Sequence, residues 1–107
     1  MSPNRNYIKG RKLEYELKKM YEELGCTCLR TAGSHGFADL VVINKAGVMF
    51  VQAKVCKSET EAKRMITRFK KSPFLALSDR YEQVFVVKVP RVGLFMGSTI
   101  EQVINVE

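Results

Sequence analysis

The sequence predicts an α/β domain in which a mixed β-sheet is flanked by helices. Two apolar stretches, residues 38–44 and 47–55, are separated by only Lys45-Ala46, which is typical of an antiparallel hairpin. Apolar residues at helical spacing on both sides of this hairpin predict two helices. The chain has 107 residues and is 46% hydrophobic, so we expect one small domain over residues 1–107.

The first half of the chain predicts a helix and then a short strand. The helix covers about residues 11–24, because its apolar residues form one stripe: Leu13, Leu17, Met20, Tyr21 and Leu24. Gly25 is expected to end it. Residues 26–31 alternate in part and predict a strand, in which Cys26 and Cys28 point to one face. A loop of turn-forming residues over 32–36 separates this strand from the hairpin.

The second half of the chain predicts another helix and another strand. The helix covers about residues 59–70, with Ser58 as its N-cap and Glu61 three residues later, and Pro73 follows its end. Its apolar face consists of Ala62, Met65, Ile66 and Phe69. Residues 83–89 predict a strand. The tail from residue 91 predicts a short strand near residues 93–96, then a turn and a final short helix or strand.

The charge is concentrated in the first two thirds of the chain. The formal net charge is +7, and residues 1–71 hold 15 of the 18 basic and 7 of the 11 acidic residues. A concentrated positive field suits a polyanion such as nucleic acid, although general solubility is the alternative interpretation. Three cysteines without a secretory signal predict reduced thiols and a cytoplasmic location. No apolar stretch is long enough to span a membrane.

A few polar residues interrupt the apolar hairpin strands. If Asn44 pairs with Gly47, Asp39 lies directly opposite Gln52, and Lys54 lies on the same face of the sheet. We therefore expect Asp39, Gln52 and Lys54 to form a cluster. Carboxylate and amide oxygens suit Mg²⁺, and a nearby lysine can stabilise charge on a phosphoryl group in its transition state. A structural Asp–Lys ion pair is the alternative interpretation.

Residues 9–54 resemble the archaeal Holliday junction resolvases and their viral relatives, within the PD-(D/E)XK nuclease superfamily. The matching stretches are Lys9-Gly10, Glu14-Tyr-Glu-Leu17, Leu29-Arg-Thr-Ala-Gly-Ser-His-Gly36, Asp39-Leu40-Val41 and Val51-Gln-Ala-Lys54. The order and spacing of these stretches carry the resemblance. It implies a nuclease fold and a homodimer that cuts four-way DNA junctions symmetrically with Mg²⁺.

The resemblance also implies roles for single residues. Asp39 is similar to the central metal-binding aspartate, Glu14 to a helix glutamate that assists metal binding, and Lys54 to the catalytic lysine. Gln52 stands at the acidic position of the (D/E)XK pair and would be a neutral metal ligand, so Mn²⁺ could replace Mg²⁺. Ser34 matches a loop serine near the scissile phosphate. The expected DNA-binding residues are Lys9, Arg11, Arg30, His35 and Lys57.

The chain departs from the family pattern at two residues of the candidate site. Gln52 replaces the usual glutamate, and Tyr15 stands where many relatives have an arginine. Two alternatives to a junction resolvase therefore stay open. One is a related endonuclease that acts on duplex or flap DNA, and the other is a non-catalytic DNA-binding module with a weakened metal site.

Overall fold

The described part of the chain contains two helices and five strands. The protein is described by a computed structural model over residues 5–31, 38–72 and 81–99, with the backbone alone for residues 5–8. The elements in chain order are α1 (Arg5–Glu23), β1 (Thr27–Arg30), β2 (Leu40–Asn44), β3 (Gly47–Val55), α2 (Glu59–Lys71), β4 (Glu82–Val89) and β5 (Gly93–Ser98). The predicted loop 32–36, Pro73 and the predicted elements beyond Thr99 lie outside the described residues.

The described strands form one mixed sheet in the order β1-β2-β3-β4-β5. The β3–β4 pair is parallel, and the other neighbouring strands are antiparallel. Because β3 and β4 are parallel, the chain must cross over between them, and α2 is part of that crossover. The predicted α/β class with a mixed sheet flanked by helices is confirmed.

The β2–β3 hairpin has the predicted register. Asn44 pairs with Gly47, and Leu40 pairs with Val51. The side chain of Asn44 supports the turn, since its Oδ1 accepts from the backbone N–H of Ala46 at 2.8 Å and of Gly47 at 3.1 Å. An Asn–Gly pair thus flanks the Lys-Ala turn and compensates for two central residues that hairpin turns rarely use.

The two helices pack on opposite faces of the sheet, because alternate residues of β4 belong to the cores beneath α1 and α2. Leu13, Leu17 and Tyr21 of α1 pack mainly on β1 to β3. Helix α2 packs on β4 and β5 through Ala62, Ile66 and Phe69, the face predicted from its sequence. A Cβ atom built on Gly97 of β5 would lie 2.6 Å from Cγ2 of Ile66, so the glycine permits the close approach of α2.

The ends of several elements differ from the predicted ones. Helix α1 begins at Arg5 rather than near residue 11, and β5 continues to Ser98. Strand β2 begins at Leu40 rather than residue 38, because the N–H of Asp39 leaves the regular ladder and donates to the Val51 carbonyl oxygen at 2.8 Å. Ser58 caps α2 as predicted and accepts from the N–H of Glu61 at 3.2 Å. Neither described helix is long and apolar enough to cross a membrane.

Candidate functional site

A charged depression lies where α1, the end of β1, the start of β2 and the end of β3 meet. We call it the site depression; it has a volume of 310 Å³ and is lined by Gly10, Arg11, Glu14, Arg30, Asp39, Ala53, Lys54 and Val55. The fold therefore brings together five charged residues that are far apart in the sequence. All five are among the site residues predicted from the sequence.

Asp39 is held by backbone hydrogen bonds at the edge of this depression. Its Oδ2 accepts from the N–H of Ala53 at 2.8 Å, and its carbonyl oxygen accepts from the N–H of Thr31 at 3.0 Å. The other carboxylate oxygen, Oδ1, has no hydrogen-bond or ion-pair partner among the described residues. One oxygen is thus fixed by β3, and the other remains able to bind a cation or a donor.

Lys54 follows Ala53 directly and lines the same depression with an exposed side chain. No ion pair within the described part of the chain joins Lys54 to Asp39. The interpretation of these two residues as a structural ion pair is therefore not supported. A lysine without such a partner keeps its ammonium available for an anionic ligand.

Glu14 lies at the edge of the apolar stripe of α1 and faces the sheet. Its Oε1 accepts from Nε of Arg30 at 2.9 Å, and the side chains are only 19% and 16% exposed. A hydrogen-bonded pair at this depth is screened less than an exposed one. Arg30 therefore neutralises much of the negative charge of Glu14 in the absence of a ligand.

Tyr15 adds an aromatic ring beside this ion pair, a feature that is not predicted from the sequence. Cζ of Arg30 lies 4.8 Å from the ring centroid, and Cζ of Arg11 lies 5.9 Å from it on the same helix. A hydrogen bond from Arg11, followed by the charge of Arg30, lowers the pKa of Tyr15. Arg11 and Tyr15 are four residues apart on a helix, and this spacing is the sequence signal that indicates the contact between them.

Gln52 does not line the site depression. It lines a separate one of 160 Å³, here called the α2 depression, with Met65, Arg68, Phe69, Ser72 and Phe85. Its register is as predicted, because Gln52 follows Val51, the partner of Leu40. However, residues of α2 line the space beside Gln52, and the carboxylate of Asp39 bonds instead to the N–H of Ala53. The predicted three-residue cluster is thus divided between two depressions.

The remaining predicted residues lie around or outside the site. Lys9 and Lys57 line a depression next to it. Ser34 and His35 fall outside the described residues. Within the described ranges no group of three or more His, Cys, Asp and Glu residues could hold a metal ion. Asp39 and Glu14 nevertheless fit an ion such as Mg²⁺, which is commonly bound through one or two carboxylates and keeps several water ligands.

Two comparisons with known proteins give a consistent result. A family profile described as archaeal Holliday junction resolvase (Hjc) matches residues 5–92. Among solved structures, Hjc of Archaeoglobus fulgidus, a Holliday junction resolvase from an archaeal hyperthermophile, has a similar fold with a TM-score of 0.55. The two chains are 21% identical, and the similarity covers 83% of this chain and 71% of that one. A search of curated proteins finds no match.

Proposed function

The chain belongs to the archaeal Holliday junction resolvase family, and from that premise we propose that it is a Mg²⁺-dependent endonuclease that cuts four-way DNA junctions. The observation that carries the proposal is that Asp39 and Lys54 line the same depression. Both residues line one small depression, and neither Oδ1 of Asp39 nor the ammonium of Lys54 has a partner among the described residues. These are the groups that metal-assisted cleavage of a phosphodiester needs.

In this proposal Asp39 and Glu14 hold the divalent ion. When bound, such an ion lowers the pKa of a coordinated water and neutralises charge on the phosphoryl oxygens. Gln52, the third ligand that the resemblance implies, lines the α2 depression and would have to turn to reach the ion. A site with two carboxylates has little negative charge, so Mn²⁺, which tolerates softer ligand sets, is a suitable substitute.

The chain's own residues supply the other parts of the chemistry. Lys54 lines the same depression as Asp39, and its ammonium can stabilise charge that develops on the phosphate as the nucleophile attacks. Arg30 and Arg11 are placed to bind phosphate, since both line the same depression. When a phosphate attracts Arg30, the carboxylate of Glu14 loses a competing cation and becomes a better metal ligand.

We propose further that the working unit is a homodimer acting on DNA inside the cell. One site cuts one strand, and symmetric resolution of a junction requires two cuts at a fixed separation. A dimer with twofold symmetry supplies this arrangement. The resemblance adds Ser34 and His35, which lie outside the described residues, to the proposed DNA contacts of Lys9, Lys57 and the two arginines.

One observation favours a second candidate function. Because Gln52 is neutral and lies in a different depression from Asp39, the metal site has one carboxylate fewer than the pattern that it resembles. A DNA-binding module without cleavage activity would tolerate this loss. A related nuclease specific for duplex or flap DNA would use the same residues on another substrate.

The test is a cleavage assay with a synthetic four-way junction, a matched duplex and a flap, in Mg²⁺ and in Mn²⁺. We expect paired symmetric nicks in the junction. Asp39→Ala should abolish cleavage but retain binding, because the change removes a metal ligand and no phosphate contact. Preferential cutting of the duplex or flap would select the related nuclease. Binding without cleavage in either ion would select the non-catalytic module, and a strict monomer on DNA would contradict the dimer.

A further inference from the structure

A larger depression adjoins the site and contains a basic residue to which nothing above assigns a role. It has a volume of 680 Å³, against 310 Å³ for the site depression. We call it the flanking depression; its lining residues are Lys9, Val55, Cys56, Lys57, Glu61, Pro90 and Arg91. Val55 lines both depressions, so they are neighbours along the end of β3.

The flanking depression is basic. Lys9 comes from α1, Lys57 from the segment after β3, and Arg91 from the turn between β4 and β5. None of these three has an ion-pair partner among the described residues. The one acidic lining residue, Glu61, is directed towards the start of its own helix, where its Oε1 accepts from the N–H of Lys57 at 3.4 Å. Three cations from separate elements thus surround a space that one carboxylate cannot neutralise.

Arg91 occupies a backbone position that arginine rarely adopts. Its φ is 70°, in the left-handed region, and it is the one non-glycine residue with positive φ within the described ranges. The N–H of Val92 donates to the carbonyl oxygen of Val89 at 3.0 Å, and Pro90 precedes Arg91. This arrangement corresponds to a type II turn, whose third position favours glycine or asparagine. The turn itself therefore gives no reason for an arginine.

We propose that Arg91 binds a backbone phosphate of the DNA strand that leads away from the site depression. The inference rests on the proposed function and extends it, since it names where the DNA beyond the scissile phosphate is held. Lys9 and Lys57 line the same path and bind neighbouring phosphates. The contact is to the backbone, so it positions DNA without reading its sequence.

The test compares Arg91→Gly and Arg91→Asn with the wild-type chain. Both replacements suit a left-handed backbone, so the turn and the folding of the chain should be preserved. Lys45→Ala is the matched control, because it also removes one positive charge but lies at the opposite end of β3, in the hairpin turn. Binding to a labelled four-way junction is measured by fluorescence anisotropy without divalent ions over a range of salt concentrations.

We expect each Arg91 variant to weaken junction binding by roughly fivefold and to reduce the slope of log K against log salt by about 1. Lys45→Ala should leave both quantities near the wild-type values, and the melting temperatures of the Arg91 variants should not fall. Wild-type affinity in both Arg91 variants, or an equal loss in Lys45→Ala, would overturn the proposal. If the wild-type chain binds with this Arg91 dependence but never cleaves, the nuclease proposal fails while the phosphate contact stands.

Discussion

The site depression and the α2 depression are lined by residues of the same strand but offer different chemistry. Lys54 lines the first, among Glu14, Arg30 and Asp39, where charged groups surround a small space. Gln52, two residues earlier, lines the second, where the rings of Phe69 and Phe85 stack at 5.4 Å. Lys54 thus has polar surroundings, whereas Gln52 on the same strand has largely apolar ones.

The cause of this difference is the position of α2. The helix packs on β4 and β5, and its residues line the space beside Gln52, whereas Lys54 remains exposed. Residues on one face of a strand therefore share a site only where no other element packs against part of that face. Gln52 is the residue of the proposed site most in need of a test.

The largest expected effect separates the two depressions directly. Lys54→Ala should lower the rate of junction cleavage by about 100-fold or more, because it removes the cation beside the reacting phosphate. Gln52→Ala should cause a much smaller loss. The measurement is single-turnover cleavage at saturating Mn²⁺, with junction affinity measured in parallel. An equal loss in both variants would show that Gln52 acts in the same site as Lys54.

A smaller effect is expected from Gln52→Glu. The new carboxylate would lie half-buried beside Phe69 and Phe85, so we expect a loss of about 1 kcal/mol in the free energy of unfolding. Arg68, which lines the same depression, offsets part of that cost. Unfolding in urea measures the change, and Gln52→Met is the control for packing. A clear gain in cleavage rate and metal affinity would instead place this position in the metal site.

The smallest expected effect concerns the tyrosine at the edge of the site depression. Arg11 and Arg30 lower the pKa of Tyr15, so its phenol should ionise before an ordinary one as the pH rises. The difference in ultraviolet absorbance between the wild-type chain and Tyr15→Phe measures this titration. Arg11→Gln should move the titration back towards the usual range.

The same pKa shift predicts how stability depends on pH. A lowered pKa in the folded chain means that ionisation of Tyr15 contributes to stability fully only above the unfolded value of about 10. That contribution is lost as the pH falls through the folded pKa. Tyr15→Phe should therefore have nearly wild-type stability at neutral pH. A large loss at pH 7 would show that the hydroxyl has a structural role independent of its ionisation.

Much of the fold follows from short-range patterns in the sequence. The two residues between the hairpin strands predict the register of the hairpin. Ser58 and Glu61 predict the N-cap of α2. The apolar stripe of α1 likewise follows from the spacing of Leu13, Leu17 and Tyr21. These features depend on neighbours along the chain, so local geometry is sufficient to predict them.

The features that the sequence did not predict depend on distant contacts or single backbone angles. Gln52 is set apart from Asp39 by the packing of α2, which is determined by β4 and β5. Asp39 leaves the ladder because its carboxylate bonds to the N–H of Ala53. The positive φ of Arg91 follows from a turn that contains neither glycine nor asparagine. Distant packing contacts and single backbone angles leave no periodic pattern in the sequence from which they could be predicted.

Gly97 lines neither depression but influences the space between α2 and the sheet. Any side chain there would meet Ile66, so the Ile66 side chain or α2 itself would have to shift. The wall of the α2 depression, which includes Met65 and Phe69, belongs to that helix. Residue 97 therefore acts as a spacer that sets the width of the space beside Gln52, and its tolerance to substitution measures how freely that space can be reshaped.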